Sequence, residues 1–130
     1  MNIKTILLKS AIISSIFTFL DAIVHAFVPS LKITYYSFNW FSITNALYNY
    51  SISKFIATFV FFIILYLFFD KIKIKNLSGY LISGLILISS LEFRYIYSGY
   101  YTNQFHYFNF INHAITLGIA ILITEMVVKK

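Results

Sequence analysis

The sequence predicts an all-α integral membrane protein, built as an antiparallel bundle of four transmembrane helices. The chain of 130 residues is 60% hydrophobic and only 11% charged, with a mean hydropathy of +0.82. A soluble domain is usually about a quarter charged. Four stretches of the chain also reach the roughly 20 apolar residues that a helix needs to cross a membrane. We therefore expect one transmembrane domain over residues 1–130.

The four predicted spans follow one another with short connections after the second and third. They cover residues 6–27, 50–69, 77–97 and 107–128. The sole proline, Pro29, predicts the end of the first helix. A short charged turn joins the second and third spans, and an uncharged linker joins the third and fourth. Short connections predict antiparallel neighbours in a helical bundle.

An aromatic-rich segment, residues 29–49, separates the first two spans. We expect it to lie in the membrane interface as a short helix or a partly re-entrant loop, because amphipathic aromatic rings favour the headgroup region. Its rings are those of Tyr35, Tyr36, Phe38, Trp40, Phe41 and Tyr48.

The distribution of basic residues predicts the orientation. With four spans, both termini and the middle turn share one side, and that side carries most of the lysines. These are Lys4, Lys9, Lys71, Lys73, Lys75, Lys129 and Lys130. By the positive-inside rule, both termini are cytoplasmic, in the plasma membrane or the inner membrane. Because the basic residues are scattered at span ends, they indicate contact with lipid headgroups and topology, and no nucleic-acid partner is expected.

The first span also has features of a cleaved secretory signal. Lys4 and Lys9 precede an apolar run, and residues 24–26 resemble a small-residue cleavage site. The run is longer than a usual signal core and contains Asp21 near its end. These two features favour a retained transmembrane helix.

Polar side chains form one stripe on each of the first and fourth helices. Asp21 and His25 continue a stripe of small hydroxyl residues at spacings of three and four, and His106 and His113 lie on the stripe of the fourth helix. Counting 1.5 Å per residue from opposite membrane faces places the two stripes at overlapping depths in the outer half. Charged groups in hydrocarbon usually face a bundle interior or each other, so we expect one convergent polar site.

Two interpretations of this site remain open. In the first, structural ion pairs hold the bundle together, drawn from Asp21, Glu92, Arg94 and Lys54. In the second, His25, His113 and Asp21 bind a divalent metal ion, with His106 as a further candidate and Glu92 as a ligand or catalytic base. Imidazole and carboxylate suit zinc, iron or copper. The chain contains no cysteine, which excludes thiolate metal sites and disulfides.

The absence of standard enzyme motifs leaves three hypotheses about function. The sequence favours a noncatalytic bundle, which would be an accessory or structural subunit, or a lipid-binding or small-ligand-binding protein, with other membrane subunits or a second copy as partners. The alternative is a metal-dependent enzyme that acts on a lipid-like substrate at the outer leaflet. A proton-coupled transporter ranks third. The cytoplasmic half of the predicted core offers only hydroxyls, with Glu125 at its rim, so no titratable chain is expected to cross it.

Overall fold

The structure is a computed structural model that describes residues 1–27, 40–71, 76–98 and 103–128. Side chains are described for 1–27, 51–71, 76–90 and 107–128. Over these ranges the chain is all-helical and forms four helices, which confirms the predicted fold class at this level. The helices are α1 (Ile3–Phe27), α2 (Trp40–Lys71), α3 (Leu77–Ser98) and α4 (Asn103–Val127).

Three stretches of these helices are long and apolar enough to cross a membrane. They are Ile3–Phe27, Ser51–Lys71 and Tyr107–Val127. In α3 the side chains are described for Leu77–Ser90, and this part of the helix is apolar. The three longer stretches suggest a membrane protein.

Asparagine side chains start two of the helices. The backbone N–H of Lys4 donates to Asn2 Oδ1 at 3.0 Å at the start of α1. The backbone N–H of Gly79 donates to Asn76 Oδ1 at 2.9 Å at the start of α3. Each asparagine therefore satisfies one of the N–H groups that a first helical turn leaves without a partner.

The second helix begins earlier than the sequence predicts. Residues 40–49, expected in a separate interfacial segment, form the first part of α2, which is 32 residues long. No glycine or proline interrupts Trp40–Lys71, so nothing in the local sequence breaks the helix. Its length of about 48 Å exceeds a hydrocarbon core of about 30 Å. The rest of the predicted interfacial segment, residues 29–39, lies outside the described residues.

The helix α1 packs against both α2 and α4, and α3 packs against α4. Gly84 allows the close approach of α3, because a Cβ there would lie 3.0 Å from Leu117 Cδ2 and 3.2 Å from Ile121 Cδ1. A Cβ at Gly118 would meet nothing within 4 Å. Gly118 borders an apolar groove of about 160 Å³ between α3 and α4.

On each of α1 and α4 one row of side chains recurs every four residues, and all of its members except Glu125 are buried. The row on α1 is Lys9, Ile13, Phe17, Asp21 and His25, and the row on α4 is Glu125, Ile121, Leu117, His113 and Asn109. Lys9 pairs with Glu125, and Asp21 contacts His113. Between these two contacts α1 advances by twelve residues and α4 goes back by twelve.

Candidate functional site: the Asp21 cluster

Asp21 is the centre of a buried polar cluster that joins three helices. Its carboxylate is 1% exposed and bonds to the Lys54 ammonium through Oδ2. The Asn112 amide donates to Oδ1 at 2.8 Å. His113 Nε2 lies 2.9 Å from the same oxygen, and His25 Nε2 lies 3.5 Å from it. We call these five residues the Asp21 cluster; α1, α2 and α4 all contribute to it.

One nitrogen of His113 faces two groups of opposite character. Its Nε2 lies 2.9 Å from Asp21 Oδ1 and 2.8 Å from Lys54 Nζ. A neutral imidazole nitrogen either carries a hydrogen, which Asp21 would accept, or a lone pair, to which Lys54 would donate. In the second arrangement the Lys54 ammonium donates to both the Asp21 carboxylate and the His113 imidazole.

Aromatic side chains cover this cluster on the α1–α4 side. The Phe17 ring packs edge-on against the His113 ring, with centroids 5.6 Å apart. Lys54 Nζ lies 5.5 Å from the Phe17 ring centroid, within the range of a cation–π contact. The His25 and His113 rings meet edge-on at 6.2 Å. Charge interactions are stronger in a buried site of this kind than in water.

The structure brings together three of the residues that the sequence proposes as metal ligands. Asp21, His25 and His113 each offer one ligand atom, and these atoms lie within 4.8 Å of one another. Lys54, proposed as a counter-charge, lies in the same cluster. The side chains of Glu92, Arg94 and His106 lie outside the residues whose side chains are described.

Asn112 is a member of the cluster that the sequence did not assign to the site. Its amide nitrogen donates to Asp21, and its side chain is buried. Its position next to His113 in the sequence could have identified it, because two adjacent residues of α4 can both reach the same carboxylate of α1.

A second polar cluster occupies the other end of the same interface. Lys9 Nζ donates to Glu125 Oε2 at 2.7 Å, and Tyr66 OH donates to Glu125 Oε1 at 2.8 Å. Lys9 is 1% exposed, and its ammonium lies 5.7 Å from the Tyr66 ring centroid. We call these three residues the Glu125 cluster. It also joins α1, α2 and α4.

The Glu125 cluster corrects one expectation from the sequence and extends another. Lys9 was expected at the membrane surface with the other lysines, but its position in the buried row of α1 places its ammonium inside the bundle. The half of the core near the termini was expected to offer hydroxyls with Glu125 at its rim; the structure adds the buried Lys9, which pairs with the partly buried Glu125. Pairing makes this burial tolerable, since each charge satisfies the other.

Comparisons with known proteins give no guide to the function. No family model matches the chain, and neither the curated proteins nor the solved structures contain a match.

Proposed function

We propose that this chain is a noncatalytic membrane protein, an antiparallel four-helix bundle in which the Asp21 cluster fixes the packing of α1, α2 and α4. The observation that carries the proposal is the position of Lys54, whose ammonium bonds to Asp21 and lies 2.8 Å from His113 Nε2. A cation of the protein itself thus contacts both the carboxylate and the imidazole.

The contacts between helices support the antiparallel arrangement. The start of α1 meets the end of α4 through Lys9 and Glu125, and the later part of α1 meets the earlier part of α4 through Asp21 and His113. The described side chains of the Asp21 cluster contain one carboxylate, one ammonium, two imidazoles and one amide. A buried, hydrogen-bonded network of this kind can specify one packing arrangement without catalysing a reaction.

The apolar outer surface supports a location in the membrane. On α2, exposed apolar side chains recur every four residues, at Ile52, Ile56, Val60 and Ile64. Such a face suits lipid or a neighbouring transmembrane helix. We propose the lipid bilayer as one partner and another membrane subunit, or a second copy of this chain, as the other.

The accessory-subunit role is tested by the size of the particle that the protein forms. A tagged chain, expressed at low level and extracted in mild detergent, is expected to migrate with a complex larger than one 15.2 kDa chain in its micelle. Migration as a single chain would contradict the role as a subunit or a homo-oligomer.

Membrane orientation is tested by labelling single cysteines, because the chain contains none of its own. We propose that both termini are cytoplasmic in the plasma or inner membrane. In intact cells, a membrane-impermeant thiol reagent is therefore expected to label Tyr107→Cys and to leave Lys4→Cys and Lys71→Cys unlabelled until the cells are opened. The reverse pattern would contradict the proposed orientation.

A divalent metal site is the second candidate, and the ligand geometry favours it. In a tetrahedral zinc site with bonds of about 2 Å, neighbouring ligand atoms lie about 3.3 Å apart. The distances from Asp21 Oδ1 to His113 Nε2 and to His25 Nε2 are 2.9 and 3.5 Å, and the three ligand atoms lie within 4.8 Å of one another. Zinc held there would lower the pKa of a bound water and support hydrolysis of a lipid-like ester or amide, with Glu92 as the candidate base.

Metal analysis of purified protein separates the two proposals. The noncatalytic bundle predicts less than about a tenth of a zinc, iron or copper ion per chain. The metal enzyme predicts about one ion per chain, lost in His25→Ala and in His113→Ala. One ion per chain that depends on both histidines would overturn the noncatalytic proposal.

A further inference from the structure

The groove between α3 and α4 opens on the outer surface of the bundle. Buried side chains of Ile88, Leu117 and Ile121 line it on the inside. Leu85, which also lines it, is 43% exposed, and a Cβ at Gly118 would meet nothing within 4 Å. Its volume of about 160 Å³ is therefore accessible from outside the bundle.

The chemistry of the groove makes water a poor occupant. Every residue that lines it is apolar or a glycine, so a water molecule there would find no polar side chain to bond to. The same two helices expose further apolar side chains to the outside, including Ile82, Ile86, Ile115 and Leu122. In a membrane, hydrocarbon therefore borders the groove.

Hydrocarbon that enters the groove gains packing contacts. Lipid tails are as apolar as the side chains, so association within a bilayer depends on van der Waals contact and not on the release of water. A void forfeits these contacts, because its lining has no partner atoms on one side. One flexible acyl chain in the groove would touch α3 and α4 together, whereas the exposed face of α2 at Ile52, Ile56 and Val60 offers the surface of a single helix. A whole helix, about 10 Å across, is too wide to enter.

The groove lies at the depth of one leaflet. Its residues on α3, from Leu81 to Ile88, are about 6–16 Å from the first residue of that helix. Its residues on α4, from Ala114 to Ile121, are about 9–20 Å from the last residue of that helix. Half of a hydrocarbon core is about 15 Å thick. An acyl chain in the groove therefore belongs to a lipid of the leaflet at the start of α3 and the end of α4.

The same end of the bundle carries a net positive charge. Its two described acids, Asp70 and Glu125, each form an ion pair. Lys4 and Lys71 are exposed, and neither forms an ion pair within the part of the chain that the structure describes. The sequence adds four lysines beyond the ends of α2 and α4, outside the described residues: Lys73, Lys75, Lys129 and Lys130. Groups of about four to eight basic residues next to a transmembrane helix attract anionic lipids.

We propose that the groove binds one acyl chain of an anionic phospholipid, whose phosphate lies at the level of Lys71 at the end of α2. The apolar groove selects the chain, and the lysines select the charge of the headgroup. This site goes beyond the proposed function and rests only on its membrane location. It shares no residue with the Asp21 cluster, so either proposal can fail while the other holds.

Native mass spectrometry of retained lipid tests the proposal. The protein is reconstituted in nanodiscs with equal amounts of phosphatidylglycerol and phosphatidylcholine of the same chain length and is then released in mild detergent. The unmodified chain is expected to keep phosphatidylglycerol in preference to phosphatidylcholine. Gly118→Leu places a side chain in the groove and should lower the retained phosphatidylglycerol at least roughly fivefold. Lys71→Gln should lower it by about threefold.

The matched control is Ile119→Leu, which changes an exposed apolar side chain next to Gly118 and should leave retention unchanged. Equal retention of the two lipids, or unchanged retention in Gly118→Leu, would overturn the proposal. A smaller particle in Gly118→Leu, with the same lipid content, would assign the groove to a second copy of the chain and overturn the proposal as well.

A second measurement does not depend on any variant. Phosphatidylglycerol with a diazirine on its acyl chain is photolysed in nanodiscs with the unmodified protein, and the labelled peptides are mapped by mass spectrometry. Labelling is expected to be highest in residues 81–88 and 114–121. Equal labelling of the exposed face of α2, within residues 52–64, would overturn the proposal.

Discussion

Lys9 and Glu125, 116 positions apart in the chain, form an ion pair inside the bundle with a distance of 2.7 Å between Nζ and Oε2. At the other end of the same interface, Asp21 of α1 forms an ion pair with Lys54 of α2. Both clusters join the same three helices, α1, α2 and α4. Among the described side chains, α3 supplies none of the cluster residues. It packs on α4 around Gly84, and its Tyr80 ring packs on Tyr66 of α2 with centroids 4.9 Å apart.

The pair of Asp21 and Lys54 predicts strong energetic coupling. Asp21→Asn removes the carboxylate that Lys54 bonds to, and Lys54→Met removes the ammonium beside Asp21, so each single variant should lose about 3–5 kcal/mol of unfolding free energy. The double variant removes both charges and should lose less than the sum of the two. The measurement is unfolding in mixed micelles, followed by circular dichroism. Additive losses would show that the pair is not coupled.

Because Lys9 is buried and Lys4 is exposed, replacing each with methionine should lower the free energy of unfolding by different amounts. Lys9→Met breaks the contact with Glu125 and should cost about 2–4 kcal/mol, because the carboxylate loses its cation in a largely buried site. Lys4→Met changes an exposed lysine on the same helix and should change the free energy of unfolding by no more than about 0.5 kcal/mol. Thermal unfolding in detergent distinguishes the two. Equal effects would contradict the buried placement of Lys9.

The spacing of residues predicts much of this architecture. Apolar length predicts where the helices lie, and the period of the polar stripes places Asp21 and His25 on one face of α1. The burial of Lys9 also has a signal, since Lys9, Ile13, Phe17 and Asp21 share one row at a spacing of four. A lysine near the end of a span usually contacts lipid headgroups, so the sequence pattern alone favoured the wrong prediction that Lys9 lies at the membrane surface. The partners on α2, Lys54 and Tyr66, could not be predicted, because sequence period does not determine how neighbouring helices are rotated about their axes.

The position of the Lys54 ammonium predicts whether the Asp21 cluster binds zinc. If its ammonium occupies the place of a cation, Lys54→Met should turn the remaining ligands, Asp21, His25 and His113, into a zinc site that binds about one ion per chain. The unmodified chain should bind less than about a tenth of an ion under the same conditions. Elemental analysis after dialysis against micromolar zinc measures both. Lys4→Met is the control for lost charge, and a zinc content unchanged in Lys54→Met would contradict this account of Lys54.

The two glycines beside the α3–α4 groove predict opposite effects of one added methyl group. In Gly84→Ala the new Cβ would lie 3.0 Å from Leu117 Cδ2 and 3.2 Å from Ile121 Cδ1. Both contacts are with side-chain tips of buried residues, which must move by a few tenths of an ångström, at a cost of about 1–3 kcal/mol. In Gly118→Ala the Cβ meets nothing within 4 Å, so the better helix propensity of alanine should stabilise the protein by up to about 1 kcal/mol. Thermal unfolding of the two variants checks the signs. Destabilisation by Gly118→Ala equal to that by Gly84→Ala would mean that the groove is closed in the membrane, whereas opposite signs would show that α3 and α4 pack tightly at Gly84 and leave Gly118 open.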